Sequence, residues 1–105
     1  MSKYRRRFKQ SYIHYLGNYG YVTLLLLMRR LERGEEYEEC MLIKKTIEAK
    51  NRITGLDIPT NPHINIVNHL VDVYKSMGKQ DPELEAKRTI IDAYNAYDLI
   101  YGGSI

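Results

Sequence analysis

The segment Leu24-Leu25-Leu26-Leu27-Met28, preceded by Tyr21 and Val22 and closed by Arg29 and Arg30, most constrains how this chain can fold. The run is far shorter than the roughly 20 apolar residues a membrane helix needs. Read at 3.6 residues per turn, Leu24, Leu27, Met28 and Leu31 form one stripe of a helix over about 21–33, and Leu25 and Leu26 widen it. A helix apolar on nearly all sides is buried on more than one of them, so this helix is expected at the centre of the fold. Its apolar surface also exceeds what a few neighbours cover, which makes a homodimer an expectation of the sequence.

The flanking segments carry helical periodicity too, and none alternates like a strand. Tyr4, Phe8, Tyr12, Tyr15 and Leu16 share one face of a helix over about 3–16, with Ser2 as its cap. Gly17-Asn18-Tyr19-Gly20 is expected to break it, because Gly and Asn accept positive φ. After Gly34, a helix over about 35–53 starts with Glu35, Glu36, Glu38 and Glu39 and ends in Lys44, Lys45, Lys50 and Arg52, the favourable order for its dipole. Its apolar side is Tyr37, Cys40, Met41, Ile43, Ile47 and Ile53, and Gly55 suits its C-terminal cap. The short connection predicts an antiparallel hairpin over residues 21–54. Asn61-Pro62 and Asp81-Pro82 each read as a capping side chain followed by proline at the first helical position. They predict helices over about 62–77 and 82–101, the first with Ile64, Val67, Leu70, Val71, Tyr74 and Met77 inward, the last with Leu84, Ala86, Ile90, Ala93, Tyr94, Tyr97 and Ile100. The expected fold is all-α: one compact domain over 1–105, about five helices around a central hairpin.

Charge is unevenly distributed. Residues 1–33 hold eight basic residues against Glu32 alone, a balance of +7, while the remainder carries −4, giving +3 for the chain. Such asymmetry implies that the two ends face different partners, or each other. Lys3, Arg5, Arg6, Arg7 and Lys9 can neutralise phosphates or meet an acidic protein, and Tyr4 and Phe8 among them can stack bases or face the core. Arg29 and Arg30 extend that surface only in part, since adjacent helical residues diverge. The lone Cys40 excludes an internal disulfide and a thiolate zinc cluster, and fits a reducing, cytoplasmic setting. No apolar signal segment follows the basic start.

Residues Glu36, Tyr37, Glu38, Ile43, Lys44 and Ile47 carry a local resemblance. The stretch resembles the second helix of the UVR motif, a short helical hairpin of excision-repair proteins and of some bacterial protease regulators. Cys40 and Met41 stand where that pattern has alanines, and Lys45 where it has an aspartate. The resemblance spans about residues 24–53 and implies protein–protein docking rather than catalysis.

No residue set carries a catalytic or metal signature. His63 and His69, six apart, do not share a helix face, and no carboxylate completes a ligand set with them. Cys40 sits on an apolar stripe, where cysteine acts as a small hydrophobe. Tyr94, Tyr97 and Tyr101 form an aromatic ridge, part of the core if buried and a binding ridge if exposed. With Tyr37 they are the candidate protein-binding residues. The sequence thus points to a non-enzymatic interaction protein, with no cofactor, metal or membrane span, that docks on a larger protein or complex. An adapter, a scaffold or virion component, or a phage-encoded inhibitor fits that profile. The alternative is a small nucleic-acid-binding protein using the basic N-terminal helix.

Overall fold

The structure, a computed structural model, describes residues 8–102. Among these residues the chain forms five α-helices and no strand: α1 (Tyr12–Tyr19), α2 (Tyr21–Arg33), α3 (Tyr37–Thr54), α4 (Ile66–Ser76) and α5 (Pro82–Tyr101). The all-α bundle expected from the periodicity is the fold observed.

Helix α2 sits at its centre. Leu24, Leu25, Leu27 and Leu31 have no exposed surface, and Val22, Leu26 and Met28 nearly none. Helices α1, α3 and α5 pack on it, and α4 packs on α5. His69 of α4 closes part of the remaining side by sharing a hydrogen bond of 2.8 Å with the Tyr21 hydroxyl. The excess apolar surface that suggested a second copy is therefore covered within one chain.

The α2–α3 connection ends α2 with a left-handed residue. The Glu36 N–H donates to the Leu31 carbonyl (2.8 Å) and the Glu35 N–H to that of Glu32 (2.9 Å), the two bonds of a Schellman cap. The positive φ that this cap needs falls on Glu35 (φ 59°), one residue past Gly34. Farther on, the Cys40 thiol donates to the Met28 carbonyl at 3.4 Å. Later residues of α3 thus meet earlier residues of α2, and the helices are antiparallel, with Ile43 and Ile47 wholly buried between them and the core.

Three helix starts depart from the sequence expectation. Helix α3 begins at Tyr37, because Glu35 and Glu36 are used in the cap. Helix α1 begins at Tyr12, with the Ser11 hydroxyl accepting from the His14 N–H at 3.2 Å; Ser2 and Tyr4 lie outside the described residues. The third departure is α4. Asn61-Pro62 opens no helix, and Asn61 Oδ1 instead accepts from the His63 N–H in a local turn (2.9 Å). The reason lies in α2: Arg29 donates from Nε to the Pro62 carbonyl and from Nη2 to the Ile64 carbonyl (2.9 Å). A helix starting at residue 62 would commit those carbonyls to amides four residues on. Helix α4 starts only after Arg29 has taken them, with Asn65 Oδ1 capping the Asn68 N–H at 3.0 Å. Its inward face is Ile66, Leu70, Val71 and Tyr74, which leaves Val67 and Met77, both expected inward, exposed. Asp81-Pro82 behaves as expected, with Asp81 Oδ1 accepting from the Leu84 N–H.

Helix α1 also ends later than expected. It runs through Gly17 and Asn18, and Asn18 Nδ2 donates back to the His14 carbonyl (2.8 Å). The break falls on Gly20 alone, at φ 87° and ψ 169°, a region essentially reserved for glycine. The Thr23 hydroxyl bridges the corner by donating to the Tyr19 carbonyl at 3.1 Å. The two glycines should therefore respond oppositely to alanine, since a Cβ would meet open space at either. Gly17→Ala should stabilise the fold by about 0.5–1 kcal/mol through helix propensity. Gly20→Ala should destabilise it by about 1–3 kcal/mol through backbone strain. Urea unfolding followed by circular dichroism measures both.

Candidate functional site

The inward stripe of α3 is Cys40, Ile43 and Ile47, which leaves Tyr37 and Met41 on the flank: Tyr37 is 60% and Met41 48% exposed. The chain after α3 returns past this flank. Asn51 holds it at Ile58 through reciprocal hydrogen bonds of 3.0 and 2.8 Å, and Arg29 holds it at Pro62 and Ile64. Between α2, α3 and this loop lies an open groove of about 360 Å³. Met28, Tyr37, Cys40, Met41 and Pro62 line it, and Glu32 and Lys44 supply opposite charges.

Polar chemistry around the groove is muted. Burial pushes the Cys40 thiol up, and the neighbouring Glu32, Glu36 and Glu39 carboxylates push it further, against a smaller lowering by its own backbone N–H. Cys40 therefore stays a thiol, the form that donates to Met28. Exposed His63 pairs through Nε2 with Glu32 Oε1. Glu39, expected as one of the carboxylates at the positive end of the helix dipole, is buried and accepts from the Tyr12 hydroxyl. Burial raises its carboxyl above the ordinary range, outweighing its favourable place in the first turn of α3. Burial, then Tyr74, likewise raises the Tyr21 hydroxyl beside His69. His14 lies against the Tyr15 ring on α1. Among the described residues, no three His, Cys, Asp or Glu side chains stand close enough to hold a metal ion.

The sequence-derived binding residues are dispersed. Lys3, Arg5, Arg6 and Arg7 lie outside the described residues, and Lys9 is exposed at the described start. Arg29 is half-buried and clamps the α3–α4 loop. Arg30 is exposed, with its guanidinium 5.0 Å from the centre of the Tyr101 ring. The tyrosine ridge of α5 divides. Tyr97 and Tyr101 stack on each other and pack on the core, and Phe8 meets Tyr101, Tyr12 and Tyr15 edge-on. Tyr94 remains 48% exposed. With Val22, Leu26, Ile64, Val67 and Ile90 it lines a second open groove, of about 300 Å³, where α4 and α5 meet α2.

Sequence reasoning missed Met28, Lys44 and Pro62 as groove residues and Glu39 as a buried acceptor. Tyr12 and Glu39 are far apart in sequence, so periodicity carries no sign of their bond. Pro62 read as a helix start and therefore not as a groove wall.

Two changes probe the supports of this region. Arg29→Ala should destabilise the protein by about 1.5–3 kcal/mol, since it removes charge-assisted hydrogen bonds to two loop carbonyls. Amide exchange should quicken across residues 56–65 more than in α2. Glu39→Gln tests the buried carboxyl. Because the folded state raises its pKa, its stabilising contribution is complete below the unfolded value of about 4.3 and is lost as pH rises through the folded one. Relative to the parent, Glu39→Gln should thus gain stability as pH rises from about 4 to about 8; parallel urea midpoints across that range would refute the assignment. Comparison with protein-family models, with curated proteins and with solved structures finds no match for this chain.

Proposed function

We propose that this chain acts by binding a larger protein through the α2–α3 hairpin, as a non-catalytic adapter, scaffold component or inhibitor in a reducing compartment. The observation that carries the reading is the open groove in which Tyr37 and Met41 stay largely exposed beside the buried core. Tyrosine gives a large contact area for little rotamer entropy, and methionine adapts its shape to the side chain it meets. Glu32 and Lys44 add opposite charges that orient a partner more than they hold it. The resemblance of residues 36–47 to the UVR hairpin points to the same role.

A photo-reactive residue at position 37, in cells of the native source, should cross-link to one dominant protein. The same probe at exposed Arg52, at the other end of α3, should not. Equal labelling from both positions, or none from position 37, would refute docking through this groove.

A second reading is favoured by the placement of Arg30. Its exposed guanidinium lies against the Tyr101 ring, which Phe8 also meets, and the next residue after Phe8, Lys9, is exposed as well. On this reading the surface binds nucleic-acid phosphates. Arg5/Arg6/Arg7→Ala should then lower the slope of log affinity for duplex DNA against log salt by about 0.9 for each phosphate no longer neutralised. An unchanged slope removes this reading.

A further inference from the structure

The groove where α4 and α5 meet α2 sets a single charge in an apolar wall. Arg29 is the one charged residue among those that line it. It is half-buried, and among the described residues no carboxylate pairs with it. Its bonds to the Pro62 and Ile64 carbonyls use the Nε hydrogen and one hydrogen of Nη2. A guanidinium carries more donors than these, so Nη1 and the second hydrogen of Nη2 remain. Carbonyl partners satisfy donors but leave the charge uncompensated, and a charge drawn partly out of water without a counter-ion is costly. The residues around the groove do not supply one. On α5, exposed Lys87 and Asp98 lie about one turn before Ile90 and one turn after Tyr94, and neither pairs with Arg29. Asp92 is two residues from both Ile90 and Tyr94, so it projects elsewhere. On α2, Arg30 and Arg33 are exposed and add positive charge, while Glu32 lines the other groove and pairs with His63. Helix α4 has no acidic residue in its first turn.

We infer that this groove binds a small amphipathic monocarboxylate, an apolar body of medium length ending in one negative charge. The carboxylate accepts from the Nη1–Nη2 edge of Arg29, a planar fork that matches its two oxygens. The body lies against Val22, Leu26, Val67 and Ile90, beside the Tyr94 ring. It covers Val67 and Tyr94, which are 50% and 48% exposed. Val22 and Arg29 are seven residues apart, about 10 Å along the axis of α2, and this span sets the length of the body. A volume of about 300 Å³ is at the small end of ligand pockets, which keeps the ligand small. Charge selects among ligands of this shape. A neutral one leaves the guanidinium uncompensated, a cationic one is repelled, and a bare inorganic anion leaves the apolar wall in water.

This site is separate from the groove at Tyr37, so the outcome for one does not bear on the other. Octanoate, titrated into the isotope-labelled full chain and followed by amide chemical shifts, tests it. Octanoate should saturate at one site and shift the signals of residues 64–67, Ile90, Tyr94 and the Arg29 Nε–H. Octanol, which lacks the charge, and acetate, which lacks the body, should each bind at least about tenfold more weakly, and octylammonium should not saturate. Arg29→Ala also loosens the loop, so the deciding variants are at exposed Val67. Val67→Asp places a competing carboxylate in the groove, and Val67→Asn is its uncharged counterpart. Both should keep the helical spectrum, and Val67→Asp should bind octanoate at least about tenfold more weakly than Val67→Asn. Octanol binding as tightly as octanoate overturns the inference. So do equal affinities of the two Val67 variants, shifts confined to another surface, or no saturation at millimolar octanoate.

Discussion

The burial of α2 is the constraint on which the rest of this structure depends. Burying a leucine side chain contributes about 1.5–3 kcal/mol, and α2 carries four that expose no surface at all. A helix with apolar residues around its whole circumference cannot rest on one neighbour. It must be enclosed, and among the described residues the other four helices do so. Helices α1, α3 and α5 supply three sides directly, while α4 and the loop before it close the rest.

That enclosure decides the fate of polar groups near it. Thr23 lies wholly inside and is satisfied by the last carbonyl of α1. Arg29, at the border of the apolar run, keeps its charge but spends two of its donors on carbonyls of the returning loop. Glu39 is drawn inside as α3 packs against α1 and finds the Tyr12 hydroxyl. Each is a buried or half-buried polar group that has a partner, as the cost of leaving one unpaired demands. The apolar side chains left over lie on surfaces the central helix does not need: the flank of α3, the mouth between α4 and α5, and the outer face of α5.

Much of the helical framework was legible in the residues. The span of α2, the antiparallel hairpin, the Asp81-Pro82 start of α5 and the glycine stop after α3 follow from periodicity and capping chemistry that act within a few residues. The misplaced start of α4 has a different cause. Asn61-Pro62 has the same local chemistry as Asp81-Pro82, and only the first faces an arginine from another helix that competes for its carbonyls. Gly17 and Gly20 are the same residue type three positions apart. Continuation through the first and a break at the second let Tyr15 and Leu16 reach the core while Thr23 closes the corner. The candidate site was legible only in part. Tyr37 and Tyr94 were identified by residue type, whereas Tyr97 and Tyr101, identical in type, are held in the aromatic cluster with Phe8.

The sequence by itself determined that this chain is helical, that its second helix is central, and that its positive charge is gathered in its first third. These are consequences of periodicity and composition, which need no knowledge of neighbours. Tertiary structure alone decided which tyrosines face outward, that Arg29 serves the fold, that Glu39 is buried, and which apolar residues remain for a partner. Each of those outcomes depends on a contact between residues distant in the chain, and a local pattern specifies the face of a helix but not what arrives to cover it.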